Sequence, residues 1–120
     1  MSEDKEQAAV IKWSQQPSIR NRYPDLKLLH HIPNERKCSP AEGARLKRLG
    51  VKAGVPDLCL PVPIGRYHGL YIELKTITGR LSEPQKWWQQ ELTEQGYLSA
   101  VCYGWQMATD VIMRYLEEQL

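Results

Sequence analysis

Short apolar runs alternate with helical segments along this chain. The runs at residues 26–32, 57–63, 67–75 and 97–103 are rich in aliphatic and β-branched or aromatic side chains, which predicts four strands. Residues 6–16, 39–50, 82–96 and 105–118 predict helices, and the last of these has a clear apolar face. The resulting order, α-β-α-β-β-α-β-α, predicts an α/β fold in which helices flank a mixed sheet of about four strands.

Local signals mark the ends of two helices and the turn between two strands. Ser39 and Ser82 are each followed within two residues by a proline, and three residues later by Glu42 or Gln85. This is the pattern of a capping box, and a glycine stands where each helix should end. Residues 64–66 separate the second and third strands by so little that we expect a hairpin.

The composition is that of one globular domain spanning residues 1–120. The formal net charge is only +2, so the charge of the whole chain does not indicate nucleic acid. No apolar run is long enough to cross a bilayer, and the polar residues 1–6 are unlike a signal peptide. Cys38, Cys59 and Cys102 are widely spaced, which is typical of reduced thiols rather than of disulfides or a zinc site. We therefore expect a cytoplasmic protein that does not bind membranes.

Candidate chemistry centres on Pro56-Asp57 and on Glu73-Leu74-Lys75. Alternation along a strand places Glu73 and Lys75 on the same face, and pairing of the two strands would bring Asp57 beside Glu73. Two converging carboxylates suit Mg²⁺ or Mn²⁺, and a neighbouring lysine can orient or deprotonate water. The alternative is a turn aspartate and a hydrated ion pair of little consequence.

Glu6 shares a helix face with Val10 and Trp13, at spacings i, i+4 and i+7. A carboxylate in line with an apolar stripe is costly unless it is paired or binds a metal. The alternative is that Glu6 lies in the first turn, where it stays hydrated and stabilises the helix dipole. The spacing alone leaves both interpretations open.

Basic residues crowd the segment before Asp57, where only Glu35 and Glu42 oppose them. A cationic helix that leads into the glycine-containing residues 50–57 would suit a phosphate backbone, although such charge runs are usually hydrated helix faces. The candidate DNA-binding residues are Arg36, Lys37, Arg45, Lys47, Arg48 and Lys52.

An ordered set of motifs covers nearly the whole chain. It consists of Glu6-Gln7, Ile32-Pro33-Asn34, residues 50–57 ending in Pro56-Asp57, residues 69–75 ending in Glu73-Leu74-Lys75, residues 79–85 ending in Gln85, the pair Trp87-Trp88, and Gly96-Tyr97. In this order and spacing, the motifs resemble the VRR-NUC (virus-type replication-repair nuclease) branch of the PD-(D/E)xK nucleases. The compact stand-alone members carried by phages and prophages are the most similar.

The resemblance implies roles for individual residues. Asp57 and Glu73 would bind the catalytic Mg²⁺ or Mn²⁺, with the backbone carbonyl of Leu74 as a further ligand. Lys75 would position or activate the attacking water, Glu6 would complete the metal site from the first helix, and Gln85 would line the site.

The implied activity is metal-dependent hydrolysis of DNA phosphodiester bonds. Since no helix-turn-helix or zinc finger is visible in the sequence, we expect recognition of DNA structure rather than of base sequence. The resemblance to the stand-alone family members implies a homodimer that acts on branched DNA, such as a four-way (Holliday) junction. Alternatives are a sequence-specific restriction-type endonuclease, a non-catalytic DNA-binding module on the same fold, and a small α/β protein with a coincidental motif.

Overall fold

The computed structural model describes residues 1–34 and 38–120. Within them, the helices are α1 (Glu3–Ser14), α2 (Pro17–Arg22), α3 (Pro40–Arg48), α4 (Glu83–Glu94) and α5 (Trp105–Leu116). The strands are β1 (His30–His31), β2 (Leu58–Leu60), β3 (Leu70–Lys75) and β4 (Leu98–Tyr103), and a 3-10 turn spans Pro24–Leu28. The predicted α/β class with a mixed four-stranded sheet is therefore confirmed.

The strands form one sheet in the order β1-β2-β3-β4. The β1/β2 and β2/β3 pairs are antiparallel, and Leu58 of β2 lies opposite Ile72 of β3. The β3/β4 pair is parallel and is connected through α4, as parallel neighbours require a crossover. The hairpin predicted around residues 64–66 joins β2 to β3, and Ile64 and Tyr67 form an isolated bridge at its tip.

The main core lies where α1 and α5 pack against each other and on β3. Val10 of α1 and Ile112 of α5 are fully buried in one apolar cluster with Ile72 and Leu74. Because side chains alternate along a strand, Glu73 points to the opposite face, where it meets α4. The sheet thus directs an acidic side chain away from the core but keeps it buried.

The predicted strand at residues 26–32 is wrong over most of its length. Pro24 opens a 3-10 turn in which Leu26 N–H bonds to Tyr23 O and Leu29 N–H bonds to Leu26 O. Leu26 is buried by this turn, so its apolar character comes from core packing and not from a strand. Only His30–His31 pairs with the sheet.

The first helix begins earlier than predicted, and a second short helix was missed. Ser2 caps α1 by accepting a hydrogen bond from Lys5 N–H at 3.2 Å. Pro17 does follow the end of α1, but it also starts α2, because proline is well tolerated at the first position of a helix. None of the helices in the described residues is long and apolar enough to cross a membrane.

Candidate functional site

An open cleft of about 640 Å³ lies at the end of β2 and β3 where the two carboxylate motifs meet. The N-terminal ends of α1 and α4 and the loop before β2 form its walls. Its lining residues are Glu3, Asp4, Asn34, Ala53, Gly54, Asp57, Glu73, Ser82, Pro84 and Gln85.

Asp57 and Glu73 come together in this cleft, and both are buried, with 7% and 1% of their surfaces exposed. The Asp57 carboxylate accepts a hydrogen bond from Leu74 N–H through Oδ2 at 2.8 Å. Asp57 therefore faces β3 just past the last β2/β3 pair. The convergence expected from strand pairing is present in the structure.

Glu73 lies in surroundings that disfavour its ionised form. Burial, and then the nearby Asp57 carboxylate, raise the pKa of Glu73 to about 9, although Lys75 opposes the shift. Its Oε2 accepts a hydrogen bond from Gln85 Nε2 at 3.3 Å. Its Oε1 is buried and has no hydrogen-bond partner among residues 1–34 and 38–120. A buried acceptor oxygen of this kind can be satisfied by a cation.

Gln85 links the helix start to the carboxylate pair. Its Oε1 accepts from Ser82 N–H at 2.9 Å, and Ser82 Oγ accepts from Gln85 N–H, which completes the predicted capping box. The amide nitrogen of the same side chain donates to Glu73. Gln85 thus caps α4 and orients Glu73 at the same time.

Lys75 lies beside the cleft and is 7% exposed. Its Nζ is 4.0 Å from Oε2 of Glu3, which stands in the first turn of α1. Gly79, in the turn after β3, lies close to this side chain, since an added Cβ would be 3.2 Å from Thr76 O and 3.3 Å from Lys75 Cδ. The turn therefore packs closely on the lysine stem.

Glu6 has a different position from the other predicted site residues. Its carboxylate accepts a hydrogen bond from Trp105 N–H at the start of α5, next to Gly104. It does not contribute to the lining of the cleft, whereas Glu3 and Asp4 of the same helix do. Glu3 lies seven residues before Val10 and so shares its helix face, and this spacing was the signal in the sequence that could have identified Glu3.

The backbone carbonyl of Leu74 lies on the β2 side of β3. Gly69 O and Lys75 O accept from β4-side amides, so odd-numbered residues of β3 hydrogen-bond toward β4. Leu74 therefore presents its N–H and C=O to the β2 side, where its N–H already meets Asp57. The carbonyl is therefore on the same edge of β3 as the N–H that meets Asp57.

The loop before Asp57 is held against α4 by tight contacts. Gly54 has φ +85°, and a Cβ at this position would lie 2.5 Å from the backbone carbon of Pro84. Trp88 Nε1 donates to Ala53 O at 3.0 Å, and Asn34 Nδ2 donates to Val55 O at 3.5 Å. Asn34 thus ties the segment after β1 to the wall of the cleft.

The predicted basic surface is only partly within the described residues. Arg36 and Lys37 lie outside them. Helix α3, which carries Arg45, Lys47 and Arg48, has no buried residue, and Lys52 follows it in an exposed position. Arg45 forms an ion pair with Glu42 at 2.7 Å. The exposed basic residues lie on the chain segment that leads directly into the cleft wall at Ala53 and Gly54.

The donor set fits a hard divalent cation that is only partly enclosed by protein. Within the described residues, no group of three or more His, Cys, Asp or Glu side chains is arranged to hold a metal. Mg²⁺ commonly uses one or two carboxylates and completes its shell with water and substrate phosphate. Asp57, Glu73 with its unpartnered Oε1, and the Leu74 carbonyl match this pattern.

Comparison with known proteins identifies the family of this chain. The family model of the VRR-NUC domain matches residues 1–106. A solved structure described as a VRR_NUC domain protein superimposes with a TM-score of 0.81 and 34% sequence identity, covering 98% of this chain and 89% of its own. No curated protein sequence matches. The carboxylate pair, the lysine on the same strand and these matches together show that the chain belongs to the VRR-NUC family of nuclease domains.

Proposed function

We propose that this protein is a Mg²⁺- or Mn²⁺-dependent deoxyribonuclease that hydrolyses phosphodiester bonds. The observation that carries the proposal is the buried Asp57–Glu73 pair in an open cleft, with Lys75 on the same strand face. A buried carboxylate pair is costly to the fold, so its presence in a cleft favours a functional role.

Asp57, Glu73 and the Leu74 carbonyl would hold the cation. When bound, the cation supplies charge neutralisation at the scissile phosphate and makes a bound water more acidic. Gln85 keeps the Glu73 carboxylate oriented through Oε2, and Oε1, which has no hydrogen-bond partner among the described residues, would bind the cation. Lys75 orients the attacking water and stabilises negative charge that develops on the phosphate oxygens.

Two glutamates of α1, Glu6 and Glu3, are candidates for the further acid of the metal site. The family resemblance suggests Glu6, but its carboxylate is engaged with Trp105 N–H. Glu3 lines the cleft and lies 4.0 Å from Lys75 Nζ. The geometry therefore favours Glu3, and paired variants distinguish the two residues.

Branched DNA is the substrate that we propose, with a homodimer as the active form. The exposed basic helix α3 and Lys52 would contact the phosphate backbone beside the cleft. Backbone contacts position DNA without reading its bases, so this surface supports recognition of shape.

The test is a cleavage assay with Mg²⁺ or Mn²⁺ on a four-way junction, a flap, a splayed arm, linear duplex and single strand. Asp57→Asn and Glu73→Gln should each reduce cleavage by about 100-fold or more, the range seen when a key electrostatic group is removed. Glu83→Gln, an exposed carboxylate outside the cleft lining, is the matched control and should cleave normally. Wild-type rates in a folded Asp57→Asn variant would refute the site.

Lys75→Met separates chemistry from binding. Because Lys75 is buried beside the carboxylates, its loss should slow single-turnover cleavage and leave DNA affinity in Ca²⁺ nearly unchanged. Loss of affinity with an unchanged rate would instead make Lys75 a binding residue.

A further inference from the structure

The main-chain carbonyl of Asp57 accepts two hydrogen bonds. The donors are Ile32, the residue after the edge strand β1, and His31 of that strand. One comes from Ile32 N–H at 2.9 Å and continues the β1/β2 pairing. The other joins this oxygen to Nδ1 of His31 at 2.8 Å. The second contact is a side-chain addition to an otherwise ordinary antiparallel ladder.

This contact identifies a ring nitrogen of the imidazole that carries a hydrogen. A carbonyl oxygen only accepts hydrogen bonds, so Nδ1 of His31 must carry the hydrogen. The carbonyl has two lone pairs, and Ile32 and His31 use both of them. Asp57 is consequently anchored at its carbonyl by the β1 side and at its carboxylate by Leu74 N–H of β3.

We propose that His31 is a positioning residue for the metal-binding carboxylate of Asp57. Asp57 lies one residue past the pair of His31 with Leu58, and Ile32 N–H makes the last ladder bond between β1 and β2 to its carbonyl. The Nδ1–H bond restricts rotation of the peptide that follows Asp57, and this keeps the carboxylate aimed across the cleft toward Glu73. The inference rests on the proposed function, since it assigns Asp57 a metal to hold.

His30 provides a natural contrast within the same strand. Its Nδ1 meets Leu28 O at 2.9 Å, a local contact in an exposed position. The two neighbouring histidines therefore make the same kind of bond, but only His31 makes it to a residue that lines the cleft.

The experiment titrates Mn²⁺ into the 120-residue protein by calorimetry, without DNA. Removing a group that orients a metal ligand typically weakens metal affinity by 10- to 100-fold. We expect a loss in this range for His31→Leu and His31→Gln. His31→Asn should bind Mn²⁺ within about threefold of wild type, because its amide nitrogen occupies the place of Nδ1. His30→Leu is the matched control and should bind as wild type does.

The tautomer gives a second readout, which tests the hydrogen bond on which the inference depends. Long-range ¹⁵N–¹H correlation spectra should show the hydrogen of neutral His31 on Nδ1. A hydrogen on Nε2 would overturn the inference whether or not the variants fold.

The outcomes separate this inference from the proposed function. If the wild type binds Mn²⁺ but cleaves no DNA, the proposed function fails and the role of His31 in metal affinity still stands. If the wild type cleaves DNA and folded His31→Leu binds Mn²⁺ equally well, the inference is overturned and the nuclease stands. A wild type that binds no Mn²⁺ would reject both.

Discussion

Glu73 combines two properties that carboxylates on a protein surface lack: it is buried, and it lies beside a second carboxylate. Both properties favour its protonated form, so in the absence of a cation Glu73 is largely neutral at pH 7. A bound divalent cation would reverse this preference, because it favours the ionised carboxylate. Glu73 is therefore a residue at which the stability of the fold and the proposed activity oppose each other.

This opposition predicts how stability depends on pH without metal. The pKa of Glu73 is about 9 in the folded protein and near the ordinary value of 4.5 in the unfolded chain. Between these two values the folded protein holds a proton on Glu73 that the unfolded chain has lost. The contribution of this proton to the free energy of unfolding is complete below about pH 4.5 and falls as pH rises toward 9. In EDTA, the free energy of unfolding of wild type relative to Glu73→Gln should fall by up to about 1.4 kcal/mol per pH unit in this window.

The measurement is a series of urea unfolding curves for the two proteins between pH 5 and pH 9. Glu73→Gln keeps the shape of the side chain and removes its titration, so it should become the more stable protein at the alkaline end. Parallel curves for the two proteins would show that Glu73 does not titrate with a raised pKa.

For individual residues, the sequence predicted the two carboxylates and the lysine of the candidate site but not the residues that contact them. The alternation of a strand was enough to place Glu73 and Lys75 together and Leu74 on the other face. The position of Glu3 was missed because residues 1–5 look like a polar tail until Ser2 is seen to cap α1. The contact between His31 and Asp57 depends on strand pairing across 26 residues, which no local pattern encodes.

Two glutamates of α1 should have separable effects. Glu3→Gln removes the carboxylate beside Lys75 and should lower the cleavage rate with little change in melting temperature. Glu6→Gln weakens the acceptor at the start of α5 and should cost about 1 kcal/mol of stability while cleavage continues. Single-turnover rates and thermal unfolding of both variants make the comparison. A stable Glu6→Gln that no longer cleaves would restore Glu6 to the metal site.

Among the elements, those with strong end signals were predicted well. Helices α3 and α4 begin at Ser39 and Ser82 as their capping residues indicate, and β3 and β4 are confirmed with small shifts. In the segment 17–29, the short helix was missed and residues 26–29 were wrongly predicted as strand, because the apolar residues Ile19 and Leu26 serve the core from short helical turns. Such turns have no periodicity long enough to distinguish them from a strand.

The loop between α3 and β2 should tolerate a side chain at one glycine and not at another. Gly50 and Gly54 both have positive φ, +96° and +85°. A Cβ at Gly50 meets no atom of residues 1–34 and 38–120 within 4 Å, whereas one at Gly54 collides with Pro84. Gly50→Ala should therefore cost only the conformational penalty of about 1 to 2 kcal/mol. Gly54→Ala should cost more and also weaken Mn²⁺ binding, because it pushes apart two walls of the cleft. Equal losses in urea unfolding would contradict the tight packing.

Helix α3 and Lys52 should contribute to DNA affinity through charge. Arg48→Gln with Lys52→Gln should weaken binding to every DNA shape and lower the slope of log K against log salt by about 0.9 for each lost contact with duplex. Lys12→Gln with Lys27→Gln removes the same charge from exposed positions on α1 and on the 3-10 turn and is the control. An unchanged slope in the first variant would leave α3 as a hydrated surface helix.

At the level of the whole molecule, the small size of one chain limits the number of incisions that it can make in a branched substrate. The protein measures 44 × 31 × 28 Å, and its cleft is built around one carboxylate pair, Asp57 with Glu73. One such pair accounts for one strand incision at a time. Resolution of a four-way junction requires two incisions, so a symmetric dimer with two clefts at a fixed separation is the simplest arrangement that couples them.

The final prediction follows from that coupling. We expect light scattering to give twice the mass of the 13.9 kDa chain, and cleavage of a four-way junction to exceed that of linear duplex of the same sequence. On a supercoiled plasmid with an extruded cruciform, the wild type should make paired cuts and yield linear product. Mixing with an excess of Glu73→Gln should form dimers with one intact cleft and shift the product to nicked circles, because the second incision is lost. If the excess of variant leaves linear product unchanged, or if the wild type is a monomer that cuts duplex and junction at equal rates, each chain acts alone and shape selectivity must come from the cleft itself.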